Sequence, residues 1–141
     1  MKVLNLIAAG GTGGIEVLLR DIIADKTLDN RICCLFEEGE IYEELKSKNE
    51  KIFSLKDKNR NRKEIVKELK EYCIKESIDI ITIHHGGINC NLIYMMLKKE
   101  LPNMKYARYF HSSFDEYWER KRRISKRFFG KNYNAKSNKC F

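Results

Sequence analysis

The sequence predicts an α/β fold: a Rossmann-like, mainly parallel sheet flanked by helices on both faces. Three observations carry this. Short apolar runs alternate with longer, helix-patterned stretches along the whole chain. Several of those runs stay apolar at every position, as in strands covered on both sides. The first run also leads directly into Gly10-Gly11-Thr12-Gly13-Gly14, a glycine turn where a strand hands over to a helix.

Lys2 to Ala8 reads as a buried strand. Gly14 to Ala24 follows as a helix, with Ile15, Leu18, Leu19, Ile22 and Ile23 at helical spacing. Arg31 to Phe36 is the second strand, its Ile32-Cys33-Cys34-Leu35-Phe36 uniformly apolar. A short helix over Glu40 to Lys48 and a brief strand over Ile52 to Leu55 come next. Asn59 to Glu76 is a charged helix whose inner face is Ile65, Val66, Leu69, Tyr72 and Cys73. Its Lys and Glu residues make a solvated face. Ile78 to His84 is a strand rich in isoleucine, which suits a pleated sheet. Ile88 to Glu100 is a helix ending before Pro102, and Met104 to Phe110 is a fifth strand. A last helical segment runs from about Asp115 to Phe129, and the remaining tail is polar.

Composition bounds the class. At 141 residues the chain is one domain or most of one. No apolar run approaches the roughly 20 residues that span a bilayer. The short apolar start lacks the shape of a secretory leader, which points to the cytoplasm. The five cysteines, Cys33, Cys34, Cys73, Cys90 and Cys140, include no C-x-x-C pair, so they read as reduced thiols. The net charge of +8 is uneven: residues 119–141 hold nine basic residues and one acid, and residues 1–118 are neutral. The basic character belongs to the C-terminal segment, which argues against nucleic acid as the partner of the fold. The division expected is a Rossmann-like domain over 1–118 and a basic helix and polar tail over 119–141.

Three polar loops should converge at the carboxyl edge of the sheet, where ligands of open α/β folds bind. They are Gly10–Gly14 after the first strand, His84-His85-Gly86-Gly87 after the fourth, and His111-Ser112-Ser113 after the fifth. The first is a ready phosphate site, because the following helix aims unsatisfied N–H groups and its positive end there. The alternative for the loop alone is a tight turn with no ligand. A dinucleotide fingerprint fails, since Glu16 stands where a third small residue should allow close packing. A P-loop is excluded because no Gly-Lys-Ser/Thr follows the glycines.

Gly13-Gly14-Ile15-Glu16 after a first strand, a fourth strand ending Ile81-Thr82-Ile83-His84-His85, and a fifth ending in His111 resemble the N-terminal domain of glycosyltransferase family 4, the retaining GT-B enzymes. The resemblance covers about residues 1–118 and rests on order and spacing more than on any one residue. The glycine string also resembles the loop of the lipid-linked N-acetylglucosaminyltransferases. In those a histidine follows the glycines, and here Ile15 does.

The family resemblance implies half of a two-domain enzyme. Its N-terminal domain binds the acceptor, a cell-surface glycan or lipid-linked molecule, and a second domain holds most of a nucleotide-sugar donor. Gly13 and Gly14 would touch the donor diphosphate. His111 would sit beside the transferred sugar as an orienting, electrostatic group and is the catalytic candidate. Glu16, His84, His85 and Ser112 would belong to the acceptor side or the cleft. Alternatives stay open: a strand-end histidine satisfied by backbone, and a Glu16 that merely complements the helix dipole. No cofactor is implied, and the sequence has no Asp-x-Asp metal motif. The donor-binding half is expected on further sequence or a separate chain, so this chain alone should not transfer sugar at a useful rate. The competing expectation is a free-standing α/β module that binds a nucleotide or phosphorylated ligand without catalysis. Residues 119–129, with six Lys/Arg around Ile124, Phe128 and Phe129, have the make-up of a helix lying on an anionic membrane, or equally of a solvated domain helix.

Overall fold

The computed structural model describes residues 1–9, 14–48, 51–56, 61–84 and 87–109, within a compact unit that ends at His111. The elements follow the expected alternation: β1 (Lys2–Ala9), α1 (Gly14–Ala24), β2 (Asp29–Glu37), α2 (Glu40–Lys48), β3 (Ile52–Ser54), α3 (Arg62–Glu76), β4 (Ile80–His84), α4 (Gly87–Glu100) and β5 (Lys105–Tyr109). The segment expected to be helical over 115–129 lies outside the described residues.

All pairings are parallel, in the order β3-β2-β1-β4-β5. The chain runs outward from β1 to β3, then returns to place β4 on the other side of β1. The strand order therefore reverses between β1 and β4.

Strand parity sorts the side chains into two cores. Leu4 and Leu6 of β1, Cys33 and Leu35 of β2, and Ile81 and Ile83 of β4 face α3 and α4. Those helices answer with Ile65, Val66, Leu69 and Cys73, and with Cys90, Ile93, Tyr94 and Leu97. On the opposite face Ile7, Ile32, Cys34 and Ile52 pack with Ile41, Tyr42 and Leu45 of α2, and Ile22 and Ile23 of α1 lie against them. Leu69 is fully enclosed; truncating such a leucine to alanine costs about 2–5 kcal/mol. The parallel strands are apolar on both faces because helices cover both, which is why their sequences do not alternate.

α3 begins two to three residues later than its periodicity suggests. Asn61 sets the start: its extended backbone and side-chain oxygen, which accepts from the Glu64 N–H, make it the N-cap. The helix ends at Ser77, held in the left-handed conformation at φ 54°. β2 begins earlier than expected because Asp29 and Asn30 already pair with Lys2 and Val3.

The amino edge of the sheet is fastened by charge. Arg31 on β2 donates to Glu76 at 2.6 Å and to the Tyr72 hydroxyl at 3.2 Å. The bond to Tyr72 is the main reason the Arg31 guanidinium holds its proton still more firmly than usual. Lys51 reaches Asp29 at 2.7 Å and pulls that carboxyl below its ordinary pKa. The Lys2 backbone N–H donates to Asp79 at 2.7 Å. Among the described residues no helix is long and apolar enough to cross a membrane.

Candidate functional site

The candidate site lies at the carboxyl ends of β1, β4 and β5, beside the reversal of strand order. β1 ends at Ala9 and α1 starts at Gly14, so the α1 N-terminus points back to this edge. β4 ends at His84 and leads to α4 at Gly87. The neighbouring end of β2 is bulged: from Ile7 to Ala9 on β1 the partners advance from Cys34 to Glu37. Such bulges turn the end of a strand away from regular pairing.

Of the residues read from the sequence, the structure places His84, Gly14 and the backbone of Glu16. His84 is 1% exposed, although it ends its strand. Its Nε2 lies 3.2 Å from Asn5 Oδ1, and its ring stacks on Tyr109 with centroids 5.2 Å apart. His84 and Tyr109 are register partners on β4 and β5. Gly14 opens α1 and is exposed. A Cβ built on it would meet no protein atom within 4 Å. Glu16 lies in the first turn of α1. Gly13, His85, His111 and Ser112 lie outside the described residues, as do the loops over 10–13 and 85–86.

Gly14 does not have positive φ, and Gly10, Gly11 and Gly13 lie outside the described residues. Among the described residues the glycine that does is Gly87, at φ 78°, where α4 begins. The β4–α4 junction thus makes the conformational demand that only glycine meets easily.

His84 belongs to a buried polar seam that sequence reading missed. Asn5, Asn30, Thr82 and His84 are the buried polar residues of the described chain. They lie on the α1/α2 face and cross the sheet strand by strand. Asn30 on β2 donates to the Ile22 carbonyl at 3.0 Å, satisfying an acceptor in the last turn of α1. Asn5 Nδ2 donates to the Arg31 carbonyl at 3.2 Å and lies 3.5 Å from Asn30 Oδ1. Because that carbonyl can only accept, the Asn5 amide orientation is fixed. Asn5 Oδ1 therefore points toward β4, where it accepts from the Thr82 hydroxyl at 2.7 Å. It also faces His84 Nε2, and an amide oxygen requires that nitrogen to carry the proton. The seam couples the C-terminal turn of α1 to the ring that closes β4. The available signal was an asparagine inside the apolar run Val3–Ile7, a residue that strands disfavour.

The described cysteines are not poised as nucleophiles. Cys33, Cys34, Cys73 and Cys90 are buried free thiols. Burial raises the Cys33 pKa well above normal, Cys73 to about 12 and Cys90 to about 11, so each stays protonated at neutral pH. No group of three or more His, Cys, Asp or Glu among the described residues could hold a metal ion. No family model matches the chain, and neither does any curated protein.

Proposed function

We propose that this chain is the N-terminal, acceptor-side domain of a glycosyltransferase resembling family 4, working on the cytoplasmic side with a donor-binding half carried on further sequence or on another chain. The observation that carries the reading is the reversal between β1 and β4, which sets the α1 N-terminus beside the strand ending in His84. In open parallel sheets that crevice receives phosphorylated ligands. Gly13 and Gly14 would face the donor diphosphate. His111 would orient the sugar near the acceptor, a glycan or lipid-linked molecule. The buried seam through Asn5 gives His84 a supporting role: it holds the end of β4 in place. In a retaining transfer the leaving phosphate takes the acceptor proton, so no buried general base is required. Contact of residues 119–129 with an anionic inner membrane face would bring a lipid-linked acceptor close.

The test is titration of the ¹⁵N-labelled chain with UDP-glucose and GDP-mannose, read by amide shifts, together with a sugar-transfer assay. The reading expects weak binding that moves the amides of Gly14, His84 and Tyr109, and no useful turnover by the chain alone. Silence toward both donors at millimolar concentration would overturn it. Tight binding of a simple phosphorylated metabolite, unchanged by His111→Ala, would instead assign the chain to the free-standing binding modules.

A further inference from the structure

α4 is apolar on two opposite sides. Its inner side carries Cys90, Ile93, Tyr94 and Leu97 into the core. Its outer side carries Ile88, Leu92 and Met95, which are 77%, 41% and 56% exposed. Their spacing of four and three residues makes one stripe along the helix. Isolated exposed apolar residues are ordinary, but an aligned stripe on a helix crest marks a contact surface.

The stripe borders a groove along the α3–α4 seam. At its upper end a cavity of about 630 Å³ is lined by Phe36, Ile65 and Met96, with Arg62 and Lys63 at its rim. A second of about 390 Å³ continues along the seam, with Val66 and Met96 lining it beside Lys63, Lys67, Lys70 and Lys99. Lys70 is matched across the seam by Glu100 at 2.8 Å. Lys63 and Lys99 make no ion pair among the described residues. The groove is therefore partly apolar in its lining and positive at its rim.

We propose that the α3–α4 seam is the docking groove for an acidic amphipathic helix of a protein partner. The apolar face of that helix would lie on Val66, Met96 and Leu92, with its carboxylates against Lys63, Lys67 and Lys99. Two other occupants fit less well. A second copy docked through the same face would set these lysines against each other. A flat anionic bilayer would first meet the outermost side of α3, opposite the buried Leu69 and Cys73, where exposed Glu64 and Glu71 offset Lys67 and Lys75 and leave no net positive charge. Lys63 and Lys99 flank the seam, exposed and without an ion pair among the described residues, whereas Lys67 lies 4.0 Å from Glu71 on the outer side.

The probe is a fluorescein-labelled helical peptide of about 18 residues, with leucine at i, i+3, i+4 and i+7 and glutamate elsewhere. Binding to the full chain is read by anisotropy, and the affected amides by NMR. The acidic peptide should bind and move amides of residues 62–74 and 87–100, and its lysine counterpart should not. Lys63→Glu with Lys67→Glu should weaken binding about tenfold or more, and Leu92→Ser with Met95→Ser several-fold. All four positions are exposed, so circular dichroism and Tm should stay unchanged. Arg122→Glu with Arg123→Glu, in the basic C-terminal segment, should leave binding intact. Equal binding of the two peptides, or loss of binding through the C-terminal variant, would overturn the proposal. So would sedimentation with phosphatidylglycerol vesicles that is abolished by the seam variants, which would make the membrane the occupant.

Discussion

Replacing Asn5 by leucine tests whether the polar seam holds the sheet together. Leucine fills a comparable volume, so the effect of a cavity is small and the effect of lost hydrogen bonds dominates. The Thr82 hydroxyl loses its 2.7 Å acceptor and keeps only a 3.4 Å contact with the Leu4 carbonyl. The His84 Nε2–H loses the Asn5 oxygen at 3.2 Å. Thr82 is 4% and His84 1% exposed, so bulk water does not substitute. At about 1–3 kcal/mol for each buried donor deprived of its acceptor, Asn5→Leu should cost about 2–5 kcal/mol. That is a large share of the 5–15 kcal/mol typical of a domain. In urea unfolding followed by circular dichroism, with a slope of about 2 kcal/mol per molar, the midpoint should fall by about 1–2.5 M. The double variant Asn5→Leu, Thr82→Val removes donor and acceptor together and should recover about 1 kcal/mol or more. A single-variant loss below about 0.5 kcal/mol, or strict additivity of the pair, would refute the reasoning.

Gly14→Ala should leave stability within about 0.5 kcal/mol or raise it slightly, because the added methyl meets nothing. Gly87→Ala should cost about 1–2 kcal/mol, because φ 78° strains an L-residue. Thermal melts of the two variants give the comparison, and loss of ligand binding by a fully stable Gly14→Ala chain would mark close approach of the ligand there. In native protein Cys33, Cys34, Cys73 and Cys90 should be silent to Ellman's reagent and react only after unfolding; labelling any of them at a rate matching free thiol would contradict their burial. Asp29 has a lowered pKa in the folded state, so its contribution is present above its unfolded value and is lost as pH falls through the folded one. Asp29→Asn should therefore flatten the acid limb of the stability curve below about pH 4 and leave the alkaline side unaltered.

Element order was legible because strand and helix periods differ and glycine marks the junctions. Lys2 to Ala8 reads as a buried strand from its apolar run, but its central place in the sheet follows only from its pairing with both β2 and β4. Boundaries were less legible where a cap decides them. Nothing in the periodicity of 59–76 distinguishes Asn61 from Asn59 as the start of α3, and the choice rests on which asparagine bonds the Glu64 amide. His84 was found as a strand-end histidine, but its burial was hidden, since that depends on Asn5, distant in sequence yet adjacent in the sheet. Tyr109 escaped notice for the same reason: its meeting with His84 is set by the β4–β5 register. The apolar outer stripe of α4 was visible as residues, but only the position of the sheet shows which side of the helix is outward.

The reversal of strand order also has a consequence for biosynthesis. β1 pairs with β2, whose residues lie 27 to 28 positions later, and with β4, about 77 positions later. The core beneath α2 is built from residues 7 to 52 and can close once β3 has left the ribosome. The opposite side of the same strands cannot. Leu4, Leu6, Cys33 and Leu35 wait for α3 and α4, which are completed only at Glu100. During synthesis the nascent chain thus presents a half-clad sheet with one greasy face in water. A chaperone that recognises apolar β-surface would find its substrate in that interval, and its release would coincide with the arrival of Leu97.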